Sequence, residues 1–193
     1  MTAKTDPMDE IPAREKILRT TIDLVPSHGS DRITHRLVAD AASVSPGTVT
    51  YHFDSIDTLV REAFRLYMDD YKAGLDAALE ARPLMSADDV ARFLVTLATT
   101  SPETSELARL EYAMVSHAQR DAALLDDVGK WARLLEQRIE EALTDMQAQT
   151  PRATANLLLT VCRGTEFDVM TRQVTIDRTT LHQRFLSLIG ETG

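Results

Sequence analysis

Apolar residues recur every three or four positions along most of the chain, the spacing of one face of an α-helix. Between Pro12 and about Ser27, the inward positions Ile17, Leu18, Thr21, Ile22 and Val25 follow that rule, with Pro12 acceptable in a first turn. His28-Gly29-Ser30 closes this helix, and Gly29 is available for a left-handed cap. Thr34 is a good N-cap for a short helix whose buried positions are predicted to be Leu37, Val38 and Ala41. After the brief Ala42-Ser43-Val44 stretch, Ser45 caps a second short helix that begins at Pro46 and ends near His52. Ser55 caps a much longer one, with Ile56, Leu59, Val60, Ala63, Phe64, Tyr67, Tyr71, Leu75 and Leu79 as its apolar positions.

The punctuation stays helical beyond Pro83. Ser86-Ala87-Asp88-Asp89 resembles a capping box ahead of Val90, Phe93, Leu94 and Leu97. Further helices are predicted from Ser101-Pro102-Glu103 to about Gln119, from Asp121 to about Gln147, and from Thr150-Pro151 to about Arg172. Asp177 caps a last one, closed by Gly190. The pattern predicts nine helices, no strand and no internal repeat, an all-α fold.

Composition agrees with that reading. Only 7 Gly and 7 Pro in 193 residues disfavour a turn-rich β fold. One cysteine, Cys162, excludes an internal disulfide and a cysteine-based zinc cluster. No apolar run approaches the roughly 18–20 residues of a membrane helix. The polar stretch Met1–Glu10 has no secretory character, so a cytoplasmic protein is expected.

The net charge of −9 argues against broad nucleic-acid affinity, but the charge is unevenly spread. Residues 11–54 carry 5 basic and 5 acidic side chains, whereas residues 55–193 carry 15 basic and 22 acidic. The two parts of the chain are electrically different.

Two short helices joined by a tight turn and packed on a longer one form a helix-turn-helix module, whose second helix fits the major groove of DNA. Here the second helix reads Pro46-Gly47-Thr48-Val49-Thr50-Tyr51-His52, followed by Phe53. Gly47 permits close backbone approach, while Thr48, Thr50, Tyr51 and His52 offer groups for phosphates or base edges. Val44, Val49 and Phe53 are expected to face the small core. The helix has no Lys or Arg, so it offers no bidentate arginine for guanine. Taken singly, Tyr51 and His52 also suit a cap and a surface aromatic; the ordered combination is what favours DNA.

The stretch from Thr34 to Ser55, with its Val-Ser-Pro-Gly-Thr run and Tyr-His-Phe triplet, resembles the DNA-binding signature of the TetR family of repressors. The similarity runs from about Arg14 to Phe64. It implies an N-terminal three-helix DNA-binding domain over 12–54 after a flexible leader over 1–11. A six-helix ligand-binding and dimerisation domain over 55–193 would follow. It further implies a homodimer on a palindromic operator, released by a small-molecule effector of a class the sequence leaves open. By the same resemblance, Thr34 and Arg36 contact phosphate. Ser45, Pro46, Gly47, Thr48 and Thr50 line the groove side, and Tyr51 and His52 form a phosphate-binding aromatic pair. Two positions depart from the pattern: Ser43 stands where the family often has Gly in the turn, and Ile56 where it often has Lys. Loss of that Lys shifts the electrostatic load to Arg32, Arg36 and Lys4 and implies a modest salt dependence.

Candidates for effector contact are Phe64, Tyr67, Phe93, Tyr112, Met114, His117, Trp131, Arg163, Glu166, Phe167 and Met170, an aromatic and Met set with a few polar groups. Met and Phe at helical spacing equally suit a core. Gly164 inside a predicted helix points to close packing or pocket space. Leu157, Leu158, Val161, Leu181, Phe185, Leu188 and Ile189 are the candidate dimer interface, or else cover the monomer's own core.

Enzyme chemistry has no support. The five histidines, His28, His35, His52, His117 and His182, have no metal-ligand spacing, and Cys162 reads as a buried small hydrophobe. No Gly-rich phosphate loop or nucleophile elbow is present, and no cofactor, metal or catalytic residue is expected. The alternative to a DNA-binding regulator is a helical adaptor working through protein contacts.

Overall fold

The computed structural model describes residues 11–99, 102–172 and 176–191. Among them are nine α-helices and one short 3-10 turn, with no strand. They are α1 (Ala13–His28), α2 (His35–Ala42), α3 (Pro46–His52), α4 (Ile56–Ala81), α5 (Ala87–Ala98), α6 (Pro102–Ala118), α7 (Ala122–Asp145), α8 (Pro151–Arg172) and α9 (Arg178–Glu191). The chain divides into two compact units, Met1–Tyr71 with Leu107–Val128, and Lys72–Glu106 with Gly129–Gly193. The leader, apart from Ile11, lies outside the described residues, as do Lys4 and Ser101, the predicted start of a helix.

In the first unit, α1 packs on α2 and α3. Ile17, Val38, Ala39, Val49 and Phe53 are buried together there, and Leu59, Ala63 and Phe64 continue the core along α4. Pro12 is the N-cap of α1 rather than part of its first turn. Gly29 ends that helix at φ +79°, ψ 146°, which is positive φ without the left-handed helical ψ expected of a cap. The 3-10 turn Ser30–Arg32, which periodicity did not reveal, then carries the chain to the buried Ile33. On α2 the inward alanines are Ala39 and Ala42; Ala41 is exposed, contrary to expectation, and Leu37 is half-buried. A helix of eight residues with five apolar small or branched candidates tolerates either rotation on pattern alone, and packing on α1 decides it.

The second unit is built on α5, which packs against α8 and α9. Val90, Leu94 and Ala98 meet Leu158, Leu159 and Cys162 of α8, Leu181 and Phe185 of α9, and Ile139 and Leu143 of α7 in one cluster. Ser86 caps α5 by accepting the Asp89 amide at 3.2 Å and donates its hydroxyl to Asp89 Oδ2 at 2.6 Å. Cys162 is buried, with Sγ 3.7 Å from the Leu94 carbonyl oxygen, and desolvation raises its thiol pKa to about 12. It is a packing group with no thiolate at neutral pH.

Candidate nucleic-acid interface

The caps that define the helix-turn-helix are made by side chains. Thr34 Oγ1 accepts the Leu37 amide at 3.1 Å and starts α2. Ser43 ends it in the left-handed region at φ 55°, ψ 42°, with its amide on the Ala39 and Asp40 carbonyls. This is the turn position where Gly was expected from the resemblance, and here a serine takes the left-handed conformation at some cost. Ser45 Oγ then accepts the Thr48 amide at 3.0 Å, and Pro46 occupies the first helical position of α3.

These caps set one side of α3 free. Val49 and Phe53 are buried, and Val44 is half-buried, so the opposite face has no partner in the core. Ser45, Pro46, Gly47 and Thr50 are exposed, Thr48 and His52 are half-buried, and Tyr51 is 83% exposed. The Tyr51 and His52 rings meet edge-on at 5.1 Å between centroids. Thr50 Oγ1 donates to the Gly47 carbonyl at 3.1 Å, which leaves its oxygen lone pairs open as acceptors. A Cβ on Gly47 would meet only Ser45 Oγ at 3.6 Å, an ordinary contact, so the fold itself does not require glycine there.

The charge around this face is sparse. Arg36 is 88% exposed and lies 3.9 Å from the exposed Asp40, a pairing too loose and wet to neutralise it. Arg32 is exposed and has no ion-pair partner among the described residues. Arg14 pairs with Glu62 and sits 5.3 Å over the Phe53 ring, so it helps close the module. Ile56 is half-buried at the start of α4. Thr34 and Arg36 are on α2 and its cap, with the other seven DNA-contact candidates on α3 and its cap.

The effector candidates divide between the units. Phe64, Tyr67, Tyr112, Met114 and His117 belong to the first, and Phe93, Trp131, Arg163, Glu166, Phe167 and Met170 to the second. Phe64 and Met114 are fully buried core, and His117 is 7% exposed with its ring 5.8 Å from Phe64. Burial lowers the His117 pKa, aided by Arg120 and opposed by Asp57, Asp31 and Asp121. Tyr67 donates its hydroxyl to Glu111 Oε1 at 2.6 Å, a partner that spacing could not reveal because it lies 44 residues away. Tyr112 and Phe167 are exposed over somewhat less than half of their surface. Arg163 is also exposed and donates to the Ala132 carbonyl at 3.2 Å rather than to Glu166. Burial raises the half-buried Glu166 carboxyl above its ordinary range. Trp131, Phe93 and Met170 are half-buried.

Of the dimer candidates, Leu158, Leu181, Phe185 and Ile189 are buried in the chain's own core. Leu157 remains 39% exposed, and Val161 and Leu188 are half-buried. Helical periodicity had grouped inward and outward positions together.

An all-α chain with a capped helix-turn-helix at its N-terminal end is a DNA-binding regulator by architecture. The family model for bacterial regulatory proteins of the tetR family matches residues 17–63, and that for the tetracyclin repressor-like C-terminal domain matches 85–191. The chain belongs to the TetR family, whose members are transcriptional regulators and not enzymes.

Solved structures share the fold over nearly the full length. A TetR-family member from Streptomyces coelicolor A3 is 25% identical, with a TM-score of 0.69 over 92% of this chain and 98% of that one. A transcriptional regulator of Rhodococcus sp. RHA1 is 21% identical, with a TM-score of 0.74 over 94% and 96%. The multidrug binding protein EbrR, solved in complex with proflavin, is 23% identical, with a TM-score of 0.67 over 92% and 99%. No curated protein matches. Among the described residues, no helix is long and apolar enough to cross a membrane.

Proposed function

We propose that the chain is a cytoplasmic, homodimeric repressor that binds a palindromic operator and is released by a small-molecule effector. Residues 12–54 are the reading domain in this account, and 55–193 the effector and dimerisation domain. The carrying observation is the free face of α3, where Gly47, Thr50 and the 83% exposed Tyr51 have no packing duty. Thr50 accepts from a base amine, and the edge of Gly47 lets the backbone close on the duplex. Tyr51 and His52 reach phosphate, with Thr34 and Arg36 fixing the register from α2.

Dimerisation is supported by Gly164. It is exposed on α8, on one helical stripe with Leu157 and Val161, and nothing lies within 4 Å of a Cβ built there. The chain's own packing therefore has no use for glycine, whereas close approach of a second α8 does. EbrR, a structural relative, was solved in complex with proflavin; for this chain we infer a small-molecule effector whose class the candidate residues leave open.

Selection from random duplex DNA tests the reading. It predicts an enriched inverted repeat with half-site centres one helical turn, about 34 Å, apart or a multiple of it. Enrichment of no motif, or of a single unrepeated half-site, would refute it.

A further inference from the structure

The second unit carries a groove of about 670 Å³ where the end of α4, the loop after it, α5 and the start of α9 come together. Pro83, Leu84 and Phe93 contribute apolar surface, and Arg82, Arg178 and His182 line it as well. Of the eleven effector candidates it includes Phe93 alone.

Its charges are not balanced. Asp88 pairs with Arg92 and lies 2.9 Å from His182 Nε2. Asp89 accepts the Ser86 hydroxyl at 2.6 Å and faces Arg92 at 3.4 Å. Both acids in the groove are therefore committed to Arg92 and the α5 cap. Asp177, next to Arg178 in the chain, is spent on the Thr179 and Thr180 amides at 3.2 and 3.1 Å. Arg178 donates to the neutral Thr99 hydroxyl, and the Arg82 side chain has no hydrogen bond or ion pair among the described residues. Two guanidinium groups without a carboxylate thus border an apolar surface, on a chain whose net charge is −9.

Apolar walls with a few convergent charged donors are the make-up of a small-molecule site. Guanidinium matches carboxylate geometry with paired N–H···O bonds, and the same groups repel an ammonium head. We propose that this groove binds an amphipathic organic carboxylate, its head on Arg82 and Arg178 and its hydrocarbon body on Leu84 and Phe93. The site is separate from operator binding and is tested without DNA, so its failure and the failure of the repressor reading are distinguishable.

Octanoate is a suitable probe, compared by titration calorimetry on the full chain with 1-octanol and n-octylammonium. Saturable octanoate binding at millimolar concentration or below is expected, with both comparators at least about tenfold weaker. The double variant Arg82→Gln/Arg178→Gln should lose about tenfold or more of the octanoate affinity, its helical circular dichroism unchanged because both side chains are exposed. Octanoate should also shift the Phe93 and His182 nuclear magnetic resonances of the unaltered chain. Absence of heat and shifts at millimolar octanoate would overturn the proposal. So would equal binding of octylammonium, or undiminished binding by the folded double variant.

Discussion

Ser45 Oγ and Thr48 are joined twice, by the Thr48 amide at 3.0 Å and by a hydroxyl–hydroxyl contact at 2.8 Å. This pair fixes where α3 begins and which way its outer face turns. Ser45→Ala removes one orphan-donor partner and should cost about 1 kcal/mol of stability. Calorimetric or dichroic melting would show the loss as a lower Tm, and operator affinity should fall as well. A variant as stable as the parent would deny the cap its role.

Gly47 separates a folding reason for glycine from a DNA reason. Because a Cβ there meets only Ser45 Oγ at 3.6 Å, Gly47→Ala is expected to melt at or above the parent temperature. Its operator affinity should nevertheless drop by about tenfold or more as the methyl meets the duplex. Undiminished affinity would remove Gly47 from the groove face.

Gly164→Leu addresses assembly. Exposed on α8 with open space around it, the new side chain should leave the monomer folded. Sedimentation of the parent at micromolar concentration should give about twice the chain mass, and the variant about one chain mass. A monomeric parent, or a dimeric variant, would contradict the proposed α8 face.

His117 gives a pH dependence of known sign. Burial holds its folded pKa below the ordinary 6.5, so below that pH the unfolded chain binds a proton that the folded chain refuses. Stability should therefore fall as pH drops from 6.5 towards the lowered folded value, and His117→Gln should lessen that fall. Urea melts between neutral pH and pH about 5 would measure it. An identical pH slope in the variant would show that His117 does not carry the effect.

How much the sequence conveyed depends on the range of the interaction. Thr34, Ser45, Ser55, Ser86, Asp121 and Asp177 were all readable as caps, because each oxygen meets an amide two or three residues ahead. The helix-turn-helix was legible for the same reason. Ala41 was misplaced because α2 is too short for its period to choose a rotation. The contact of Asp31 with Arg120, 89 residues apart, and that of Tyr67 with Glu111 are set by packing and leave no local mark. Leu157 and Leu158 are adjacent and both apolar, yet one is exposed and the other is core, a difference made by the α5 and α9 surfaces around them.

The claim that α3 reads DNA is tested most directly by fluorescence anisotropy on the selected operator and on a scrambled duplex, over a salt series. The account predicts tight binding to the operator alone. Arg32 and Arg36 in each of two copies give a log–log salt slope of about −3.6. Thr50→Ala should abolish the preference, and Tyr51→Ala should weaken binding to the operator, each while the chain stays folded. Equal affinity for both duplexes, or both variants binding like the parent, would contradict it.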